Sequence, residues 1–195
     1  MRYYYALILI VVSAMTACGG NRVAKAVRTA SRPTVVDMFK AAYPYTDDEV
    51  IKKAYDFIVN GQSSNTYDGH VMDSKKVDTA NGYLRYYTGG DPGSTVECCC
   101  WRCNDGKHYL LAINVMGESP DISPTRDMLF FKYDTGAKTV QKVSAPYNVK
   151  NNGKEWSFQL PQRGKNIKVI YLNEEYAEAS SFWLKWNGNS FVRSK

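Results

Sequence analysis

Four of the chain's five cysteines fall between residues 98 and 103, in the run Val96-Glu97-Cys98-Cys99-Cys100-Trp101-Arg102-Cys103, and His108 follows soon after. Thiolates and imidazoles bind structural zinc, and a thiolate beside an imidazole is also a nucleophile. The segment could therefore hold a metal, exchange disulfides, attack an electrophile or simply pack as core. Spacing separates these options. Asp105-Gly106 is a dipeptide favoured in type I′ hairpin turns. Such a turn sets Cys103 opposite His108, Trp101 opposite Leu110 and Cys99 opposite Ala112. Cys98 and Cys100 then share the other face with Leu111 and Ile113. The would-be ligands Cys98, Cys99, Cys100, Cys103 and His108 are split between two faces, so neither a metal nor a cofactor is expected.

The Cys100-Trp101-Arg102-Cys103 spacing matches a redox pair, but that chemistry needs a helix start to lower a thiol pKa, and here a turn and a strand follow. In an extended strand, residues i and i+2 are ~6.6 Å apart, at the edge of disulfide reach. Of the cysteines in the cluster, Cys100 and Cys103 are the pair that could bridge comfortably, and only if the strand ends early and turns at Trp101-Arg102. Otherwise cysteine packs as a small apolar residue, which makes the run a central strand, apolar on both faces. Cys103 and His108 are the one nucleophile–base pair the hairpin brings together, though no glycine-rich oxyanion turn accompanies them. His70 lies beside Asp68 in a polar stretch. Glu174, Glu175 and Glu178, near Tyr176, are a second candidate acid group, with a solvated loop as the alternative. No phosphate loop, dinucleotide fingerprint or HExxH motif is present.

The elements that position these residues follow from periodicity. Thr34 is a candidate N-cap for a helix through Met38, Phe39, Ala41 and Ala42, ended by Pro44. Thr46-Asp47-Asp48-Glu49 reads as a capping box for a second helix, with Val50, Ile51, Ala54, Phe57 and Ile58 on one face and Gly61 past its end. Gln62–Asn81 reads as a polar loop, with room for one short strand. Strands are expected at Gly82–Thr88, Thr95–Cys103, His108–Val115, Asp127–Tyr133, Thr139–Val143, Glu155–Leu160, Ile167–Leu172, Phe182–Trp186 and Ser190–Arg193, joined by turn-forming residues. The expected fold is α+β: two N-terminal helices packed on a mostly antiparallel, hairpin-rich β-sheet, meander- or sandwich-like.

At the N-terminus, Arg2 precedes an uncharged run from Ala6 to Ala17, shorter than the ~20 residues that span a bilayer. Met15-Thr16-Ala17-Cys18 resembles the lipobox of bacterial lipoproteins, with Met15 in place of the usual leucine. The resemblance implies cleavage before Cys18 and acylation of that residue, which anchors a protein without a membrane-spanning helix. The expected organisation is a signal peptide over 1–17, a lipidated cysteine and basic tether over 18–33, and a single domain over 34–195. In that family an aspartate after the cysteine signals inner-membrane retention. Gly19 stands there, which points to the outer membrane. The tether is basic rather than acidic (Arg22, Lys25, Arg28, Arg32), unlike known surface-export signals, and this favours a periplasm-facing protein.

Residues 34–195 hold 20 basic and 19 acidic side chains, so the basic character of the whole chain, formally +6, belongs mostly to its N-terminal part. That balance gives no argument for nucleic acid. Tyrosine is abundant, with 15 residues, which suits pleated-sheet packing and is compatible with a glycan-binding face. The lipobox, the Asp105-Gly106-Lys107 hairpin, Phe131-Lys132-Tyr133-Asp134 and the terminal Trp186-Asn187-Gly188 together resemble uncharacterised lipoproteins of Bacteroidetes. That resemblance implies no catalytic residues. The expected function is a lipid-anchored, non-enzymatic binding or assembly module of the cell envelope, with an envelope protein or a glycan as partner. A hydrolytic or thiol-based periplasmic enzyme and a glycan-binding accessory are the alternatives.

Overall fold

A computed structural model describes residues 32–64, 66–89, 93–117, 124–150 and 153–194. The expected signal peptide, Cys18 and nearly all of the tether lie outside the described residues. Pro33–Lys195 forms one compact unit. No helix among the described residues is long and apolar enough to cross a membrane.

Helix α1 (Val35–Ala42) starts at Thr34 with a true capping box. The Asp37 amide donates to Thr34 Oγ1 at 3.2 Å, and the Thr34 amide donates to the Asp37 carboxylate at 2.9 Å. A 3-10 turn, Tyr43–Tyr45, follows around Pro44. Helix α2 (Glu49–Ile58) corrects one expectation: its N-cap is Asp48, which accepts the amides of Val50 and Ile51, not Thr46. Thr46 is already engaged. Its amide and its hydroxyl both donate to Tyr43 O, at 3.0 and 2.8 Å, and close the 3-10 turn.

The strands form two antiparallel meanders and one small hairpin. The larger sheet holds β3 (Asp73–Asp78), β4 (Tyr83–Thr88), β5 (Ser94–Arg102), β6 (His108–Met116), β7 (Thr125–Asp134) and β8 (Thr139–Val143) in chain order. The smaller holds β9 (Trp156–Gln159), β10 (Ile167–Leu172), β11 (Glu178–Trp186) and β12 (Phe191–Ser194), also in order. The stretch read as a polar loop carries β3 and the hairpin of β1 (Thr66–Tyr67) and β2 (His70–Val71). β3 (DSKKVD) lacks apolar alternation because it is an edge strand, where lysines and aspartates guard an unpaired backbone.

The cysteine strand keeps the expected register. Cys98 pairs with Ile113, Cys99 with Ala112, Cys100 with Leu111 and Trp101 with Leu110. Its turn differs. Among residues 103–108 only Gly106 has positive φ, at +69°, whereas a type I′ turn needs it at both central residues. The Gly106 amide donates to Cys103 O instead, at 3.1 Å. A type I′ backbone appears at Asp68-Gly69, with φ of 49° and 76°, in the β1–β2 hairpin.

The large sheet is buried on both faces. One face puts Leu84, Tyr86, Cys98, Leu111, Ile113 and Phe131 in a cluster with Val35, Met38, Phe39, Ala42, Ile51 and Ala54 of the helices. The other puts Tyr83, Cys99, Trp101, Leu110, Ala112 and Phe130 against Phe158, Ile167, Val169, Phe182 and Leu184 of the small sheet. β5 and β6 therefore lie in the middle layer of three, and this is why their sequences are apolar on both sides.

The two sheets are joined by hydrogen bonds as well as by apolar contact. Alternate residues of β5 reach the backbone of the β9–β10 segment. The Leu160 amide donates to Glu97 Oε2 at 3.3 Å, the Cys99 thiol to Pro161 O at 3.4 Å, and the Trp101 indole to Lys165 O at 2.9 Å. The free edge of β9 is met by two further side chains. Asn114 Nδ2 donates to Phe158 O at 2.7 Å, and the Phe158 amide donates to Thr125 Oγ1 at 2.9 Å. The Thr125 hydroxyl in turn donates to Asn114 Oδ1 at 3.0 Å. Asn114 is fully buried. Asn114→Leu keeps its approximate shape and leaves Phe158 O without its donor. A buried orphan of that kind costs about 1–3 kcal/mol, so a urea melt is expected to show a lower midpoint with an unchanged slope.

Candidate functional site

The cysteine–histidine hairpin is the first place to look for chemistry, and its groups are occupied. Cys98 and Cys99 are buried, and burial pushes both thiols well above their ordinary range. Burial pushes Cys100 up to about 12. Burial first, and then the charge of Asp105, raise Cys103 as well. A thiol nucleophile needs the opposite shift. Cys98, Cys99, Cys100 and Cys103 are all free thiols. β5 continues through Arg102, so the early turn that a Cys100–Cys103 bridge requires is not taken. Gly82 sits against Cys100: its φ is +67°, its carbonyl accepts the Cys100 amide at 2.9 Å, and a Cβ there would meet Cys100 Sγ at 2.6 Å.

Cys103 and His108 are brought together through their backbones, the Cys103 amide donating to His108 O at 2.9 Å. The imidazole is turned to other partners. Its Nδ1 lies 2.7 Å from Asp105 and its Nε2 lies 3.4 Å from Asp134. Both nitrogens are held by carboxylates, which leaves neither for the thiol. Asp105 also accepts the amides of Lys107 and His108. The bond to the His108 ring, followed by those two amides, holds its carboxyl down to about 2. The amides of Ala137 and Gly136 lower the Asp134 carboxyl below its ordinary value, with His108 adding to it. The assembly is a clasp between the β5–β6 and β7–β8 turns, reinforced by Thr135, whose amide and hydroxyl both donate to Lys107 O. No group of three or more His, Cys, Asp or Glu side chains among the described residues is placed to hold a metal. His70 is exposed in β2, opposite Tyr67.

Of the second candidate group, Glu174, Glu175 and Glu178, the first two line a recess at one end of the small sheet. An open cleft of about 910 Å³ is lined there by Lys154, Glu155, Leu172, Glu174, Glu175 and Tyr176, among others. The β10–β11 turn is built on Asn173. Its Oδ1 accepts the amides of Glu175 and Ala177 at 3.1 and 2.8 Å, and its carbonyl accepts the Tyr176 amide at 3.0 Å. That network holds Tyr176 at φ +57°, a conformation uncommon for an aromatic residue and one that clusters at functional sites. Tyr176 is exposed. Glu178 stands apart from the cleft lining, accepting from Lys168 at 2.6 Å and from the Ser181 hydroxyl at 2.7 Å. Glu97, a buried carboxyl, belongs to the sheet junction. Burial raises its pKa, while the Tyr83 hydroxyl donates to it at 2.6 Å and opposes that shift.

No family model, curated protein or solved structure matches the chain.

Sequence reasoning missed two surface features. The left-handed Tyr176 has no clear sequence signal beyond the Asn173 that caps its turn. The exposure of Trp183 was readable: in Ser181-Phe182-Trp183-Leu184-Lys185, inward Phe182 and Leu184 force Trp183 outward.

Two measurements check this description. With Cys18→Ser, a thiol assay without reductant is expected to titrate four free thiols in denaturant and fewer in the folded protein, with Cys98 and Cys99 protected. Two fewer thiols in denaturant would reveal a bridge. The second concerns pH. Asp105 is depressed in the fold, so its contribution is fully present above the ordinary value of 3.8 and is lost as pH falls through about 2. Asp105→Asn should flatten that acid limb in urea midpoints recorded against pH.

Proposed function

We propose that the chain is a lipid-anchored cell-envelope protein, attached through Cys18 to the outer membrane and facing the periplasm. There it works as a non-enzymatic binding or assembly module. The lipobox resemblance and the basic tether support the anchoring. The observation that carries the functional half is the state of the hairpin chemistry: both ring nitrogens of His108 face carboxylates, and the neighbouring thiols are pushed away from the thiolate form. Unspent surface lies on the small sheet, in the cleft beside Tyr176 and on the face that carries Trp183.

A hydrolase is the second reading, favoured by the three glutamates that line the cleft, Glu155, Glu174 and Glu175. Glu174 and Glu175 are exposed, and Glu178 is committed to Lys168 and Ser181. A general acid or base is usually tuned by burial or by a paired charge.

Two outcomes are expected. In cells fed an alkyne fatty acid, the protein takes up the label and sediments with outer membranes, while Cys18→Ser abolishes both. The purified protein turns over neither nitrophenyl esters nor nitrophenyl glycosides above background. Turnover that disappears in Glu175→Gln would replace the binding reading with the hydrolase.

A further inference from the structure

We propose that the outer face of the small sheet, centred on Trp183, is a carbohydrate platform that seats the apolar face of a hexopyranose ring. The proposal rests on the binding-module reading and names its ligand class.

Trp183 is the fourth residue from the end of β11 and not part of a loop, so its position is set by the ladder. Phe182 and Leu184 point into the core and Trp183 points out, 46% exposed. Its cross-strand partners are Lys168 on β10 and Ser194 on β12, and Gln159 on β9 pairs with Lys168 beyond. The next row on the same face pairs Lys185 with Val192, which is also exposed. On the other side Ser181 donates to Glu178, and Lys168 donates to the same carboxylate. Further along the same face Ser157, Ile170 and Leu172 are buried, so the open surface is the part of the face around Trp183 and Lys185 and not the whole of it.

The indole thus shares its four-stranded sheet with an amide, two ammonium groups, two hydroxyls and a carboxylate, of which Lys168, Ser181 and Glu178 also bond one another. A pyranose has the matching chemistry, a face of C–H groups and a rim of hydroxyls. The C–H face stacks on the electron-rich ring, and the rim reaches the donors and acceptors around it.

Area argues against a protein as the occupant. Among the described residues, Trp183 and Val192 are the large apolar side chains exposed on this face. The half-exposed indole offers roughly 100 Å², far below the roughly 800 Å² that each partner of a stable protein interface buries. Most of the remaining surface is polar, whereas interface cores are depleted of charge. One sugar ring fits that area. Two lysines against one glutamate also suit a neutral or acidic sugar better than a cationic one.

The test uses the full chain with Cys18→Ser and a panel of cellotetraose, N-acetylated chitotetraose, xylotetraose, mannotetraose and maltotetraose, read by calorimetry and tryptophan fluorescence. At least one probe is expected to bind with a Kd between about 10 μM and 1 mM. Trp183→Ala should weaken that binding at least about tenfold, roughly 1.4 kcal/mol. Trp183→Phe should retain most of it, and Tyr176→Ala should leave it unchanged. Thermal melts establish that the variants fold. The platform is overturned if no probe saturates below about 10 mM, if Trp183→Ala binds as the parent does, or if Trp183 instead drives a dimer by light scattering. Binding lost in Tyr176→Ala alone would move the site to the cleft and keep the binding module. Failure of that broader reading shows separately, as catalytic turnover.

Discussion

An edge strand leaves alternate backbone amides and carbonyls unpaired, and burying such an edge without partners costs about as much as the apolar contact beside it gains. In this chain β9 is that edge, and side chains of the large sheet satisfy it. Thr125 accepts the Phe158 amide, Asn114 donates to the Phe158 carbonyl, and Glu97 accepts the amide of Leu160. The remaining arrangement depends on this junction. It fixes which residues of the small sheet face inward and therefore which are left to solvent. It also explains why a carboxyl as buried as Glu97 is tolerated: the hydrogen bonds from Tyr83 and Leu160 offset part of its desolvation.

The cysteine run follows from the same constraint. β5 lies between the helices and the second sheet, so each of its residues meets a packed surface. Cys98 and Cys100 lie on the helix side, where a small side chain leaves room for Val35, Met38 and Phe39 and for the close approach of Gly82. Cys99 lies on the other side, between Glu97 and Trp101, and its weak S–H donor takes the Pro161 carbonyl. A larger apolar residue would fill that space and leave the carbonyl unpaired. Three adjacent cysteines thus look like a reactive centre in the sequence and act as spacers and a donor in the fold.

Legibility in the sequence divides along physical lines. Hairpin strands with apolar alternation were readable, and the β5–β6 register followed from Asp105-Gly106 because the turn, though of another type, closes Cys103 on His108 as a two-residue turn centred there would. The turn type was not readable, because Asp105 spends its carboxylate on the amides of Lys107 and His108 and on the His108 ring, and stays out of the left-handed region. The N-cap of α2 was misplaced because Thr46 and Asp48 are both good caps, and only the preceding 3-10 turn decides which one is free. β3 was hidden by its charges. Of the candidate site, the clustering of Glu174 and Glu175 was visible, while the cleft around them also needed Lys154 and Glu155 from the segment before β9. His108 and Cys103 are neighbours as expected, but Asp134 lies far along the chain and captures the second ring nitrogen.

The two ends of β11 are unequal. At its C-terminal end, Trp186 donates to Arg102 O, the Asn104 amide donates to Gly188 O, and the Asn104 side chain donates to Asn187 O. Gly188, at φ +98°, has no room for a side chain beside Asn104. That end is bound to the first sheet. At the N-terminal end the β10–β11 turn is held by Asn173, with Tyr176 displayed beside the cleft. Trp183 lies between, on the solvent side of a strand whose other side is core. Rigid display of this kind suits recognition better than catalysis, because ordering costs are met in folding and not on binding. A single ring on a single indole binds weakly. On the proposed anchor many copies would share one membrane surface, and a repeating glycan strand could engage several at once. Avidity then supplies what one platform lacks, provided the tether lets neighbouring domains reach one strand.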